Sequence, residues 1–476
     1  MGNEKKMTLD NASILGIFPP FWRDEGPHFV LPHFQGLLKS LGADVRILDL
    51  NIEAAIALRE RWGNLCRNCD NIWNNPQDIA DCIETSGIAD TLAKAIAIHQ
   101  PSWIVFLCVN AARNHATRLL IQDIRTRFPG KIHIAVNGPL CLGLNDAVAV
   151  FPEADFVWGG ALESIIPVLM GQDEKATRHD FSERGYFPDY SDMELSKYSK
   201  PEQLIYTWNF GCRFRCRFCL QGAQYAQEFR RSALGLSCHL HKLLTGFPTV
   251  KYIRFYDGSL NADQNLFNDF LDELDSKNIL WGGHLTPMPY IDRSIGKRLL
   301  SAGCLGVNIG VESGSASVRK RMGKPNNLDV VEFCIRELHA AGVYVSINLM
   351  VGYPGETEDD FNETLRFMSR IAEFVSSIVA NKTGIYAGTP LFADSGKLGI
   401  NLNGDVRHEF LFNHWELADG SNTHIIRQAR LSRIESHIES LGLKNARAPD
   451  AEDEGARALK HWGIRNQKGG QSVCAE

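Results

Sequence analysis

Along the first 170 residues, short apolar runs alternate with longer segments whose apolar residues have helical spacing. This alternation is typical of a parallel sheet with helices on both faces. We assign its strands to Ser13–Phe18, Asp44–Leu50, Trp103–Val109, Lys131–Asn137 and Asp155–Trp158. Helices are predicted over Leu31–Leu41 and His115–Phe128, and from about Glu163. We therefore predict an α/β, doubly wound (Rossmann-like) domain over residues 1–172, with a helical insertion at 51–100.

A second series of strands and helices begins near Leu204, after a polar stretch at 173–203 that we interpret as a linker. Its predicted strands are Leu204–Thr207, Tyr252–Tyr256, Leu280–Gly283, Leu305–Ile309, Tyr344–Val351 and Ser377–Ala380. Six strand–helix units predict a partial (β/α)6 barrel over 204–395, related to the closed TIM barrel, with ligands at the carboxyl ends of the strands. A small helical extension is predicted over 396–476, with one helix at Thr423–Leu441.

Composition narrows the classes of partner. The formal net charge of -6 gives no global basic surface, so no nucleic-acid partner is predicted. We find no export signal and no apolar run long enough to cross a bilayer, and we expect a cytoplasmic protein without membrane insertion. In such a protein, clustered cysteines are more often metal ligands than disulfides.

Three of the twelve cysteines, Cys212, Cys216 and Cys219, lie in the loop after the first strand of the second series. Thiolates are the usual ligands of iron–sulfur clusters, and a four-iron cubane with three protein ligands keeps one iron open for a small chelating molecule. The alternative is a closed zinc site with Cys238 or His239 as fourth ligand. A second pair, Cys66-x-x-Cys69, is half a metal site; we favour a structural or incidental role, and a bound metal or a substrate-binding thiol pair stays open.

The spacing CxxxCxxC, with Phe218 just before the third cysteine, resembles the motif of the radical S-adenosylmethionine (SAM) superfamily. Further segments follow in that family's order at 256–259, 306–314, 324–325, 348–357 and 387–391. The resemblance implies a [4Fe–4S] cluster as metal centre, held by Cys212, Cys216 and Cys219 as the catalytic residues. It also implies SAM as cofactor, bound by Phe218, Asp257, Gly258, Glu312, Ser313, Val351 and Gly352.

The N-terminal strand pattern resembles the cobalamin-binding domain of one radical SAM class. The residues that carry this likeness follow the first, fourth and fifth strands, and they are Pro19, Pro20, Gly138, Gly160 and Glu163. The resemblance implies that these residues bind cobalamin. The chain has no Asp-x-His-x-x-Gly segment, so we expect no histidine on the cobalt, and the candidates for its lower face lie in Cys108–Ala112. The alternative is a degenerate domain that packs against the barrel or binds substrate.

The resemblance implies an enzyme that cleaves SAM to a 5′-deoxyadenosyl radical, which removes hydrogen from an unactivated carbon. Methyl transfer from cobalamin to that carbon of a small molecule or peptide is the expected reaction, with flavodoxin or ferredoxin as electron donor. Cyclisation, rearrangement or aminocarboxypropyl transfer would use much the same motifs. A function of another class is a non-catalytic zinc-binding or regulatory protein.

Overall fold

The computed structural model describes residues 9, 12–59, 61, 76–107, 111–130, 132–138, 147–171, 186–224, 231–325, 327–404 and 411–445. The strands of the first sheet are β1 (Ser13–Phe18), β2 (Asp44–Asp49), β3 (Trp103–Phe106), β4 (His133–Asn137) and β5 (Phe156–Trp158). The helices around it are α1 (Val30–Ser40), α2 (Leu50–Ala57), α3 (Pro76–Ser86), α4 (Ile88–His99), α5 (Ala111–Arg127) and α6 (Ile166–Leu169).

The second sheet contains β6 (Gln203–Tyr206), β7 (Tyr252–Phe255), β8 (Trp281–Leu285), β9 (Cys304–Glu312), β10 (Tyr344–Val351) and β11 (Ser377–Lys382). Its helices are α7 (Leu220–Gln224), α8 (Leu236–Gly246), α9 (Gln264–Leu274), α10 (Arg293–Ser301), α11 (Ala316–Met322), α12 (Leu328–Ala341) and α13 (Glu358–Ile371). The C-terminal region adds β12 (Ile385–Tyr386), α14 (Pro390–Ala393), β13 (Ile400–Asn401), β14 (Leu411–Phe412), β15 (Glu416–Leu417), α15 (His424–Ser440) and β16 (Lys444–Asn445).

The first sheet is parallel throughout and has the strand order β2-β1-β3-β4-β5. Connections leave β1 and β3 in opposite directions along the sheet, so the topological switch point lies between these two strands. Parallel sheets of this kind bind ligands in the crevice at that point. The predicted residues Pro19 and Pro20 follow β1 directly and therefore lie beside it.

The second sheet has the order β16-β11-β10-β9-β8-β7-β6, and its pairs are also parallel. Each of β6 to β10 is followed by at least one helix, so the carboxyl ends of the strands meet at one edge. Two parallel sheets with covering helices confirm the predicted α/β class. The strand Tyr344–Val351 has the predicted bounds.

Several elements differ from the prediction for local reasons. The helical insertion predicted at 51–100 is divided at Gly87, whose φ of 65° ends α3 and starts α4. Both helices bury apolar residues, among them Ile79 and Leu92, so this part of the insertion belongs to the helical layer of the first sheet. For α8 and α10 the six predicted strand–helix units gave no bounds.

The predicted linker is a packed connection where the structure describes it, over residues 186–200. Tyr190 and Tyr198 are buried, and their hydroxyls donate to Ile205 O (2.6 Å) and to Asp49 Oδ2 (2.7 Å). A Cβ atom at Gly36 would lie 2.1 Å from Phe187 O, so α1 packs directly on this segment. The polar composition of this stretch indicated an exposed linker and gave no sign that Tyr190 and Tyr198 are buried.

Buried apolar side chains form one large core that includes residues of both sheets, from Leu9 to Ile438. A second, smaller core joins the C-terminal region to α11 and to Tyr353, and Phe218 of the cysteine loop packs against it. None of the helices in the described part of the chain combines the length and the apolarity needed to span a bilayer.

Candidate active site

The cysteine loop is held at its start by a buried carboxylate. Asp257 follows β7 and accepts hydrogen bonds from Trp208 N (3.0 Å) and Asn209 N (2.5 Å). Its burial raises the pKa of the carboxyl to about 7, while the two N–H groups act in the opposite direction. Asp257 therefore ties the entry of the loop to the end of the neighbouring strand.

The three cysteines of the loop are half-buried and form no disulfide. Burial raises the pKa of the Cys216 and Cys219 thiols, and the nearby Lys324 ammonium lowers both. A Cβ atom at Gly258 would lie 3.3 Å from Cys212 Cβ, so the segment that follows β7 passes close to the loop. Among the residues with described positions, no three or more His, Cys, Asp or Glu side chains are arranged to hold one metal ion. A cubane does not require the sulfurs to converge on one point, because each thiolate binds a different iron.

Both predicted fourth ligands for the zinc alternative lie on α8 in other surroundings. The ring of His239 stacks on that of Phe187, with 4.4 Å between the centroids. Cys238 is exposed and lines a surface groove with Ser237 and Lys242. The loop of three cysteines, with Gly258 and Lys324 beside it, fits a cluster with three protein ligands.

A charged pair lies beside the cysteine loop at the end of β9. Glu312 has a φ of 69°, a strained conformation for a residue other than glycine. Its carboxylate contacts Lys324 Nζ at 3.5 Å, and both side chains are largely buried. A Cβ atom at Gly310 would lie 2.6 Å from Glu312 Oε1, so the pair occupies space that a side chain would fill. Glu312 is thus one of the predicted SAM-binding side chains that the structure brings to the cysteines.

Ser313, which was predicted to bind SAM, has hydrogen-bond partners within the fold. The residue is fully buried, its hydroxyl lies 3.2 Å from Thr364 Oγ1, and it accepts a hydrogen bond from Ser315 N (3.1 Å). The side chain therefore joins the end of β9 to α13.

Phe218, whose ring is predicted to contact the adenine of SAM, lies beside the turn that follows β10. Its centroid is 6.5 Å from that of Tyr353, in an edge-to-face arrangement. Val351 and Gly352, which were predicted to contact SAM, have backbone atoms that form hydrogen bonds within the chain. Gly352 N donates to Glu356 Oε2 (2.7 Å), and Val351 O accepts from Thr383 N (2.8 Å). Gly352 N and Val351 O therefore stabilise the turn itself.

The carboxyl of Glu356 offers a test of the electrostatics at this turn. Burial raises its pKa to about 7, opposed by Gly352 N–H and by Arg430. A folded-state pKa above the unfolded value means that stability is lost as pH rises through about 7. Glu356→Gln keeps an oxygen acceptor without the charge, so we expect its melting temperature to gain a few degrees on the wild type between about pH 5 and pH 8. A difference that stays constant over this range would show an ionised Glu356 throughout.

A buried polar network connects the first sheet to the cysteine loop, and sequence patterns gave no sign of it. His33 is fully buried on α1, with Nε2 at 2.8 Å from Thr207 O and Nδ1 at 3.3 Å from the Arg231 guanidinium. That guanidinium lies 4.2 Å from the ring centroid of Tyr186, whose hydroxyl donates to Glu163 Oε1 (3.4 Å). Glu163 is thus connected, through Tyr186, Arg231 and His33, to Thr207 at the end of β6, where the cysteine loop begins.

The other residues predicted to bind cobalamin lie at the carboxyl edge of the first sheet. Pro19 and Pro20 are buried after β1, and Gly138 N donates to Trp158 O at 3.3 Å. Gly160 has a φ of 94°, which requires glycine after β5. Cys66, Cys69 and Cys108 lie outside the described residues.

Comparison with known proteins identifies the class to which this site belongs. Residues 206–368 match the model of the Radical SAM superfamily. This segment contains the three cysteines, the carboxylate of Asp257, the pair Glu312–Lys324 and the turn at Gly352. The chain therefore carries a radical SAM domain, and the [4Fe–4S] cluster and SAM predicted from its cysteine motif are the cofactors of that domain.

The whole chain is similar in fold to two solved enzymes. One is the radical SAM methyltransferase TsrM from Kitasatospora setae, solved with cobalamin and a [4Fe–4S] cluster bound; the TM-score is 0.62 at 14% identity, over 90% of this chain and 91% of that one. The other is the cobalamin-dependent SAM radical enzyme OxsB, solved with aqua-cobalamin; the TM-score is 0.65 at 16% identity, over 96% and 72% of the two chains. At these identities the matches show a likeness of fold.

Curated relatives match by sequence over shorter ranges. An uncharacterized methyltransferase from Pyrococcus horikoshii is 23% identical over 229 residues, which are 45% of this chain and 48% of that protein. A tRNA-2-methylthio-N(6)-dimethylallyladenosine synthase from Pelotomaculum thermopropionicum is 25% identical over 287 residues, 56% and 62% of the two chains. The chain thus spans about half to three fifths of the length of these relatives.

Proposed function

We propose that this protein is a cobalamin-dependent radical SAM enzyme that transfers a methyl group to an unactivated carbon of a small molecule or peptide. The observation that carries the proposal is the likeness to TsrM, which extends over 90% of this chain and therefore includes both sheets. The cluster and SAM supply a carbon-centred radical when bound, and cobalamin supplies the methyl group.

In this proposal the chain's own residues position the cofactors and compensate charge. Cys212, Cys216 and Cys219 hold the cluster by three thiolates, and Lys324 offsets part of their negative charge. Phe218, whose ring packs beside Tyr353, would hold the adenine of SAM. The ammonium or ribose hydroxyl groups of SAM are natural partners for Glu312, whose carboxylate lies beside the cysteines.

The cobalamin site of this proposal lies at the switch point of the first sheet. Pro19, Pro20, Gly138 and Gly160 present compact backbone at strand ends, where a flat ring can approach closely. The network from Glu163 through Tyr186 and Arg231 to His33 then keeps this edge fixed relative to the cysteine loop. Fixed placement of two reacting cofactors is the main contribution that a protein makes to such chemistry.

The partners of the proposed enzyme are a small-molecule or peptide substrate and an external one-electron donor such as flavodoxin or ferredoxin. The cysteine loop is half-buried, and Arg213 and Arg215 beside the cysteines are exposed. A positive surface next to the cluster suits an acidic electron donor.

The proposal is tested by purifying the protein anaerobically with iron, sulfide and hydroxocobalamin. We expect about one cobalamin per chain, and we expect deuterium from methyl-labelled SAM in the recovered cobalamin. Gly160→Val is the matched variant, because valine at a φ of 94° is strained and its side chain fills the strand end. Iron content should stay at the wild-type level while cobalamin is lost. A wild-type protein that binds no cobalamin, or that keeps it free of label, would refute methyl transfer from cobalamin.

A further inference from the structure

The C-terminal region contacts the turn that follows β10, and this contact goes beyond anything that the sequence motifs indicated. Asn422 Nδ2 donates to Gly352 O (3.0 Å) and also reaches Tyr353 O (3.4 Å). Arg430 NH1 donates to Glu356 Oε2 (2.9 Å), the same oxygen that accepts from Gly352 N. The start and the end of the turn are thus both bonded to the segment that forms α15.

Arg427 is the central residue of this contact. Its side chain is fully buried, and its guanidinium lies 3.9 Å from the Trp415 ring centroid. The guanidinium donates to Asn422 Oδ1 (3.1 Å) and to the carbonyls of Asn413 (3.1 Å) and Trp415 (2.5 Å). Four polar or aromatic partners fix a cation that would otherwise be costly to bury.

The aliphatic part of the same side chain lies directly on the turn. A Cβ atom at Gly352 would come within 2.2 Å of Arg427 Cγ and 2.6 Å of Cδ. Glycine at position 352 is therefore required twice, by its φ of 73° and by the approach of Arg427. Gly352, which belongs to the segment that resembles a family motif, therefore packs against Arg427 of α15.

The position of the turn decides where Tyr353 lies, and Tyr353 packs edge-to-face against Phe218 of the cysteine loop. Both rings contact the second core, which also contains Trp415 under the Arg427 guanidinium. The C-terminal region reaches the cysteine loop a second time, because Leu391 N donates to Arg217 O (2.8 Å) and Asp394 pairs with the Arg217 guanidinium (2.5 Å). Two independent contacts therefore connect this region to the proposed adenine surface.

We propose that Arg427 is a positioning residue for SAM: it holds the turn at Gly352 so that Tyr353 supports Phe218 as the adenine surface. The inference rests on the proposed SAM site at Phe218. It predicts that the C-terminal region sets the affinity for SAM without contacting the cluster ligands.

The test compares Arg427→Lys with Arg433→Lys, the same change on the same helix. Arg433 is exposed and pairs with Glu358 at 2.5 Å. Substrate-free cleavage of SAM to 5′-deoxyadenosine is measured under dithionite, at a temperature where every variant is folded by circular dichroism. We expect Arg427→Lys to raise KM for SAM by about tenfold or more with little change in kcat and iron content, and Arg433→Lys to leave KM unchanged.

Two further outcomes keep the test decisive. Should Arg427→Lys fail to fold, Asn422→Ser removes the amide that bonds Gly352 O and Tyr353 O, and KM for SAM should rise here too. A folded Arg427 or Asn422 variant with a lower melting temperature but wild-type KM would overturn the inference and leave the proposed function intact. A wild-type protein that holds its cluster and does not cleave SAM would overturn both.

Discussion

Replacing Cys216 with alanine is expected to abolish the reductive cleavage of SAM. The variant keeps at most two of the three loop thiolates, Cys212 and Cys219, and a cubane with two protein ligands is lost or left with a second exposed iron. Because even the outer partners of metal ligands cost about 10- to 100-fold when they are removed, we expect a loss of at least about 100-fold in 5′-deoxyadenosine formation. The measurement is product formed per chain under dithionite, together with iron per chain.

Cys238→Ala is the matched control for that experiment, because Cys238 is an exposed thiol on α8. It should keep wild-type iron content and activity. Loss of metal in both variants would instead favour the closed zinc site, in which Cys238 completes the ligand set. Full activity in Cys216→Ala would contradict the assignment of the loop.

Replacing Asp257 with alanine is expected to destabilise the protein and to release the cluster. The change leaves Trp208 N and Asn209 N without an acceptor, and each unsatisfied buried donor costs about 1–3 kcal/mol. We expect the free energy of unfolding to fall by about 2–6 kcal/mol. Iron per folded chain should fall as well, because these two residues start the cysteine loop.

Asp292→Ala provides the control, since Asp292 also accepts from two backbone N–H groups, those of Ser294 (2.9 Å) and Ile295 (3.0 Å). It caps α10, and both N–H groups belong to that helix, so its loss should cost about 1 kcal/mol and no iron. Equal iron loss in the two variants would mean that Asp257 acts only through general stability.

Much of the fold could be predicted from the sequence because strands in parallel sheets are fully buried. The runs Ser13–Phe18 and Tyr344–Val351 are apolar enough that their bounds equal those of β1 and β10. The cysteine motif was recognisable because cluster chemistry fixes both residue type and spacing. Glu312 was named because segment 306–314 resembles a motif of the radical SAM superfamily.

What the sequence did not predict depends on contacts between distant residues. Arg231 and His33 are 198 positions apart, and neither has a local pattern that indicates a pairing. No sequence pattern distinguishes Arg427 from the other basic residues of α15, although it is fully buried and packs on Gly352. The burial of Tyr198 was missed for the same reason, because its hydroxyl bonds to Asp49, 149 positions away. Such tertiary contacts override local composition.

The central claim is that three thiolates hold a cubane whose remaining iron is open to SAM. Electron paramagnetic resonance of the reduced, anaerobically reconstituted protein, recorded with and without SAM, tests it most directly. We predict a [4Fe–4S] signal that changes when SAM is added, followed by release of 5′-deoxyadenosine and methionine. A colourless zinc protein, or a cluster signal that SAM leaves unchanged while SAM stays intact, would contradict it.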